Sequence, residues 1–365
     1  MAKVLIENLT KKFGDVVAVA DLDLGVEDRS FVVLLGPSGC GKTTTLRCIA
    51  GLELPDQGEI YIGDKRVTDL PPKDRDIAMV FQSYALYPHM TVYDNISFPL
   101  RIRKRSRDDV EGAVQKVAEL LRIKHLLGRK PRQLSGGEQQ RVALGRSLVR
   151  EPRVFLMDEP LSNLDAKLRL YMRAELKRLQ KELGITTVYV THDQAEAMTM
   201  ADKIALMEKG VLQQYETPED IYGKPVNTFV AGFLGSPPMN FFRCTLAERD
   251  KTRQLEGSGF TFQISKDLAD LISSKVSDLA LIIGIRPEDV VLSKEPTVGG
   301  QSIKSEVYVV EPMGSTTIVD MKLGDEIYKV SVPGAFKASI GETMFMCFTD
   351  DCMHIFDAKN QENIS

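Results

Sequence analysis

Residues 34–51 read LLGPSGCGKTTTLRCIAG: three glycines within six residues, then a lysine and three threonines. An apolar run, SFVVLLG (30–36), leads into the stretch, and a helix-forming segment leaves it. The most flexible residues of the chain, set between strand and helix, ask for a backbone that bends sharply around something. Gly36-Pro37-Ser38-Gly39-Cys40-Gly41-Lys42-Thr43 fits the spacing G-x-x-x-x-G-K-[ST]. Glycines let backbone N–H groups converge on an anion with no Cβ in the way, and the helix start adds unpaired donors and a positive dipole end. Lys42 then reaches the β- and γ-phosphates of a nucleotide, while the Thr43 hydroxyl ligates Mg²⁺. The four fixed positions recur by chance in roughly one chain in a hundred of this length. The stretch predicts a nucleotide held by residues 36–44, Thr44 included.

The neighbouring runs give this loop a fold. DIAMVFQ (76–82), RVFLMDE (153–159) and TTVYVTHD (186–193) are apolar on both faces, as is 30–36, and read as buried strands of a largely parallel sheet. Val110, Ala113, Val114, Val117, Leu120 and Leu121 recur at helical spacing, as do Leu168, Met172, Leu176, Leu179 and Leu183. That combination is an α/β layered domain. VLIENLTKKFG (4–14), VADLDLGV (19–26) and GEIYIGDKRV (58–67) read instead as antiparallel strands flanking it. Residues 83–135 read as a helical subdomain with a basic centre, RIRKRSRDD (101–109), which by itself suits a solvated helix start.

Length and charge set the frame. A chain of 365 residues exceeds what one core usually serves, so two domains are expected. A net charge of −4 gives no general attraction to nucleic acid or anionic lipid. Five cysteines with no C-x-x-C pair suit reduced thiols in a cytoplasm better than a disulfide framework or a zinc site. No run approaches the roughly 18 apolar residues of a membrane span, so work at a membrane requires a partner.

Two further motifs carry chemistry. VFLMDE (154–159) ends an apolar strand with two acids, where ligand sites of open α/β sheets lie. Asp158 is placed to support the metal, and Glu159 to polarise an attacking water as general base. LSGGE (134–138) precedes a helix whose N-cap is Ser135 or a neighbour, a second helix start stripped of bulky side chains and hence a second anion site. An ordinary capped helix start is the competing reading of those five residues.

In this order the motifs resemble one family. Over residues 2–235 the chain resembles the nucleotide-binding subunit of ATP-binding-cassette (ABC) transporters, through GPSGCGKT (36–43), Gln82 in VFQSYALYPHMTVYDNI (80–96), LSGGEQQR (134–141), VFLMDEP (154–160), SNLD (162–165) and His192 in VTHD (190–193). The resemblance implies a P-loop NTPase of the ABC type (1–235) that binds ATP and Mg²⁺ and works as a head-to-tail homodimer. ATP would lie between the phosphate loop of one copy and Ser135, Gly136, Gly137 and Glu138 of the other. Gln82 would sense Mg²⁺ and the permease, Asp165 would line the dimer seam, and His192 would join Glu159 at the γ-phosphate. Phe13 stands where the family stacks a ring on adenine. Glu138 stands where the family more often has Gln, which puts an extra charge beside a phosphate.

The aromatic segment after Gln82, about 83–95, would dock a membrane permease, or else form local core. Residues 236–365, set off by GFLGSPPMNFF (232–242), show short alternating runs that suggest a small antiparallel barrel or pair of barrels. With GIRPEDV (284–290), this part resembles the all-β OB-like (TOBE) regulatory domain of carbohydrate importers of the maltose and multiple-sugar group. OB-type barrels also bind nucleic acid, but 13 Lys plus Arg against 19 Asp plus Glu in 236–365 disfavours a phosphate backbone. The whole reads as the ATP-hydrolysing motor of a solute importer at the cytoplasmic face of the membrane, linked through its permease to a solute-binding protein. Importers of polyamine, sulfate or iron, and soluble cassettes of DNA repair or translation, are the alternatives.

Overall fold

The computed structural model describes residues 2–249, 252–276, 279–296 and 300–364, which form two compact units, Met1–Glu219 and Asp220–Ser365.

The first unit opens with two long strands, β1 (Val4–Phe13) and β2 (Val16–Val26), followed by β3 (Phe31–Leu35), helix α1 (Lys42–Ala50), β4 (Gln57–Ile62), β5 (Lys65–Arg66) and β6 (Ile77–Val80). Helices α2 (Val92–Ile102), α3 (Arg107–Leu120) and α4 (Gly136–Leu148) come next. The unit closes with β7 (Val154–Asp158), α5 (Ala166–Leu183), β8 (Thr186–Val190), α6 (Gln194–Met200), β9 (Lys203–Glu208) and β10 (Val211–Glu216). Strands β2-β1-β4-β5 make an antiparallel sheet, and the central sheet runs β10-β9-β3-β8-β7-β6. Only β10 of that central sheet is antiparallel to its neighbour; β9, β3, β8, β7 and β6 pair in parallel. β3, β7 and β8 are buried at every position, as their unbroken apolar sequences require in a sheet covered on both faces. One core joins Val4, Ile6, Leu22 and Ile60 of the antiparallel sheet to Leu46 and Ile49 of α1 and to Val32, Leu156 and Val188 of the central sheet.

Helix starts follow their capping residues. Thr91, Ser106, Asp165 and Asp193 each accept a hydrogen bond from the backbone N–H three residues on. The basic stretch 101–109 covers the end of α2, a turn and the start of α3, and is exposed at every position.

The second unit holds two short helices, α7 (Pro218–Gly223) and α8 (Thr228–Phe233), α7 crossing the boundary between units. Then come β11 (Asn240–Arg249), β12 (Thr252–Gly257), β13 (Phe260–Gln263), helix α9 (Lys266–Lys275), β14 (Ala280–Ile285) and β15 (Val291–Ser293). The last strands are β16 (Gln301–Pro312), β17 (Thr316–Leu323), β18 (Glu326–Pro333), β19 (Thr343–Phe348) and β20 (His354–Asp357). They form two five-stranded antiparallel sheets, β13-β12-β11-β14-β20 and β15-β19-β16-β17-β18. The sheets share one core in which Phe242 stacks on Tyr328 at 4.1 Å and Phe262 meets the edge of Phe348 at 5.2 Å. Buried Arg286 donates to the carbonyls of Ala231, Leu234 and Tyr222 and lies 3.8 Å over the Tyr222 ring, which fastens α7 and α8 to this unit.

Candidate active site

Four neighbouring parallel strands deliver four motifs to one edge of the central sheet. β3 runs into the glycine loop, β8 into His192, β7 into Asp158 and Glu159, and β6 into Gln82. The register pairs Leu34 with Val190, Val190 with Asp158, and Met157 with Val80, so the motifs leave the sheet at nearly the same level. That edge, outside the carboxyl ends of the strands, is where open α/β sheets hold ligands.

Glycine is required at two loop positions. A Cβ on Gly36 (φ 149°) would lie 2.2 Å from the Met207 carbonyl oxygen, and one on Gly41 (φ 103°) 2.4 Å from that of Ala18. Backbone on both sides closes the loop around its own axis, where only hydrogen fits. Lys42 is 5% exposed, and its ammonium donates to the carbonyls of Gly36 and Pro37, both at 2.8 Å. The loop is thus wrapped around its own lysine. The Cys40 thiol lies 3.6 Å from the same ammonium, and burial raises its pKa.

Thr43 Oγ1 donates to Asp158 Oδ1 at 2.9 Å, which brings together the two residues expected at a metal. Burial raises the pKa of Asp158, with the Thr43 hydrogen bond opposing it. A hydroxyl, a carboxylate and the side-chain oxygen of Gln82 are hard donors suited to Mg²⁺. Beside them Glu159 adopts φ 44°, and its amide donates to the Val190 carbonyl at 3.0 Å. One carboxylate oxygen accepts from Gln82 Nε2 at 3.3 Å; the other lies 3.1 Å from His192 Nδ1. Gln82, Glu159 and His192 form one cluster at the sheet edge.

Ser135, Gly136, Gly137, Glu138 and Asp165 make contacts of their own. Ser135 caps α4, and Glu138 Oε2 accepts from the Ser135 amide (2.7 Å) and hydroxyl (2.9 Å), which lowers the pKa of Glu138, the amide bond contributing most. Cβ atoms on Gly136 and Gly137 would meet Leu164 at 3.3 Å and Leu168 at 2.8 Å. Asp165, between those leucines, caps α5 through the Leu168 amide at 3.0 Å. The glycine loop and the LSGGE helix start of one chain therefore make different contacts. Phe13 is 48% exposed at the end of β1, with the Lys11 ammonium 5.2 Å from its ring centre, so it is no core residue.

Residues unassigned in the sequence reading hold this cluster. Asn163 donates to the Gln82 carbonyl at 3.0 Å, and Ser162 to the Glu159 carbonyl at 2.9 Å. Arg146 of α4 donates to the carbonyls of Ala85 (2.6 Å) and Tyr84 (3.0 Å), two residues in left-handed backbone conformation, and its guanidinium lies 5.4 Å from the Tyr87 ring. Beside this segment a groove of about 580 Å³ is lined by Phe81, Tyr87, Phe98, Ile102, Arg103 and Arg146, among others.

A strand-ending glycine loop of the phosphate-binding spacing, a carboxylate pair and a glycine-rich helix start together are the arrangement of an ATPase of the ABC class. Family models agree: residues 19–162 match the ABC transporter model, 235–290 the MalK OB fold domain and 283–356 the TOBE domain. The chain is 52% identical over 367 residues to the trehalose/maltose import ATP-binding protein MalK of Thermococcus litoralis, covering 98% of each. It is 45% identical over 362 residues to the maltose/maltodextrin import ATP-binding protein MalK of Vibrio cholerae, covering 98% of this chain and 95% of that one. A dimeric ATP-binding cassette solved in a post-hydrolysis state with ADP and Pi is similar at 33% identity and a TM-score of 0.53, over 59% of this chain and 98% of the cassette. The chain belongs to the ATP-binding subunits of ABC import systems, and it is an ATP-binding, ATP-hydrolysing protein that serves membrane permease components. Among the described residues no helix is long and apolar enough to cross a membrane.

Proposed function

We propose that this protein is the motor of a sugar importer, in which two copies close head to tail on two ATP molecules at the cytoplasmic face of the membrane. The observation that carries the reading is the Glu159 carboxylate, held between Gln82 and His192 beside the Thr43–Asp158 pair. In this reading Glu159 takes a proton from water as the water attacks the γ-phosphorus; the bond from that phosphorus to the bridging oxygen breaks, leaving ADP and phosphate. His192 steadies the γ-phosphate, and Phe13 stacks on adenine. Backbone amides within residues 36–44, Pro37 excepted, and the Lys42 ammonium take the phosphates, the ammonium exchanging its two carbonyl partners for phosphate oxygens. Thr43, Asp158 and Gln82 would hold Mg²⁺, which when bound neutralises charge on the phosphates.

The second cradle, Ser135 to Glu138, would grip the γ-phosphate bound to the other copy, with Asp165 at the seam. Its contacts, different from those of the glycine loop, support that assignment. The groove beside residues 83–95 suits an apolar permease helix, and Arg146 ties its wall to α4. Through the permease a solute-binding protein delivers the solute. The sugar assignment is supported by the names of the maltose and trehalose relatives, while a relative named for osmoprotective compounds, 51% identical over 87% of the chain, favours such compounds as the second reading.

Glu159→Gln tests the central assignment. The variant is expected to bind ATP with unchanged affinity, to lose about 10²- to 10⁴-fold in turnover and to accumulate as an ATP-bound dimer by light scattering. Undiminished turnover would remove Glu159 from the role of base.

A further inference from the structure

Among the described residues of the first unit, the chemistry above leaves a buried carboxylate unused. Glu196, in the first turn of α6, is 3% exposed, and its Oε2 accepts from the hydroxyls of Tyr189 (2.7 Å) and Thr191 (2.8 Å). Those residues end the strand that carries His192. The Thr191 hydroxyl also accepts from the Asp193 amide at 3.0 Å, and the Thr191 amide donates to the carbonyl of Leu34 at 3.2 Å, two residues before the glycine loop. Asp193 returns the connection: its Oδ1 accepts from the Glu196 amide at 3.1 Å, and its Oδ2 lies 3.4 Å from Arg169. His192 is the one residue between these pinned neighbours, and its Nδ1 lies 3.1 Å from Glu159.

We propose that Glu196 is a positioning residue for His192: by holding the Thr191 hydroxyl from behind the strand it fixes the corner 191–193 and so aims the imidazole at Glu159. Burying a carboxylate against two neutral hydroxyls is costly, and burial raises its pKa. An apolar side chain would fill the same space without that cost. What it could not do is hold Thr191 in the rotamer that receives the Asp193 amide. Loss of that rotamer frees the corner, and a displacement near 1 Å at a reacting group costs up to about 10²-fold in rate.

The inference rests on the reading of His192 and Glu159 as partners in hydrolysis, and its test separates the two. Three variants of the full-length protein are compared: Glu196→Leu, Thr191→Val, which removes only the hydroxyl and spares the core if Glu196→Leu fails to fold, and Glu196→Gln, whose amide oxygen accepts from the same hydroxyls. The ¹⁵N imidazole resonances of His192 are expected to move in the first two and stay in the third, while those of His89, His125 and His354 stay in all. Turnover is expected to fall about 10- to 100-fold in the first two, with ATP affinity unchanged, and neither substitution slows a His192→Ala protein further. Unmoved His192 resonances, an equal loss in the His192→Ala background, or a Glu196→Gln protein as impaired as Glu196→Leu would each overturn the proposal. If His192→Ala itself hydrolyses ATP normally, the reading of His192 fails instead, and the resonances still decide the role of Glu196.

Discussion

At the scale of single residues, two of the candidate carboxylates are shifted in opposite directions. Burial raises the pKa of Asp158, so its contribution to stability is fully present below the unfolded value, near 4, and is lost as pH rises through the folded value. At neutral pH the charge is therefore a burden on the nucleotide-free fold. Asp158→Asn keeps an oxygen for the Thr43 hydroxyl, and is expected to raise the stability of the ligand-free protein by about 1 kcal/mol, roughly 2–4 °C in Tm for a unit of this size. The gain should shrink toward pH 4, and Mg²⁺-dependent turnover should vanish; a lower Tm at pH 7 would contradict the argument. Glu138 is the reverse case. Hydrogen bonds from Ser135 lower its pKa, so its stabilisation is present above the unfolded value and is lost as pH falls through the folded one. Glu138→Gln is expected to cost a few tenths of a kcal/mol, since the group is partly solvated. In the proposed head-to-tail dimer it also removes a negative charge beside the neighbouring copy's phosphate, and should lower the ATP concentration at which the Glu159→Gln protein dimerises.

At the scale of elements, the LSGGE helix start serves packing beside the anion binding proposed for it. A methyl on Gly137 gains about 1 kcal/mol of helix propensity and meets Leu168 at 2.8 Å, an overpacking worth about 1–3 kcal/mol. Gly137→Ala should therefore destabilise modestly by urea titration, and adding Leu168→Ala should relieve the strain. If ATP-dependent dimerisation stays lost in the double variant, the methyl obstructs the amide cradle itself; if it returns, the glycine is there for Leu168. Such pairings mark what the chain's spelling could reveal. GPSGCGKT and VFLMDE were readable because each element and its motif are contiguous, and apolar runs placed them on buried strands of one sheet; VTHD lay on such a strand too, but its role came through the family resemblance, and the order of the strands came from the fold. Arg146 against Tyr84 and Ala85, or Asn163 against Gln82, join positions 61 to 81 residues apart, for which no periodicity exists. Glu196 is close to its partners in sequence, yet a glutamate on a seven-residue helix ordinarily faces water; only the fold reveals its burial. Helix α9, capped by Ser265, was hidden by the short alternating runs around it.

At the scale of the molecule, the two anion cradles proposed for each chain predict a definite behaviour of mixtures. Lys42→Ala removes the cation from the first cradle. Ser135→Asp damages the second while sparing the fold, because aspartate caps helices about as well as serine, yet its charge opposes a phosphate. In the Glu159→Gln background each homodimer has both of its sites damaged and should retain no ATP. A head-to-tail pair of one Lys42→Ala and one Ser135→Asp subunit puts both lesions in one site and leaves the other whole. Equal mixtures assembling at random contain about half such mixed dimers, each expected to retain one ATP through gel filtration. Were each chain to enclose its own nucleotide, mixing would give only the average of the two damaged proteins, and the two-copy arrangement would be excluded.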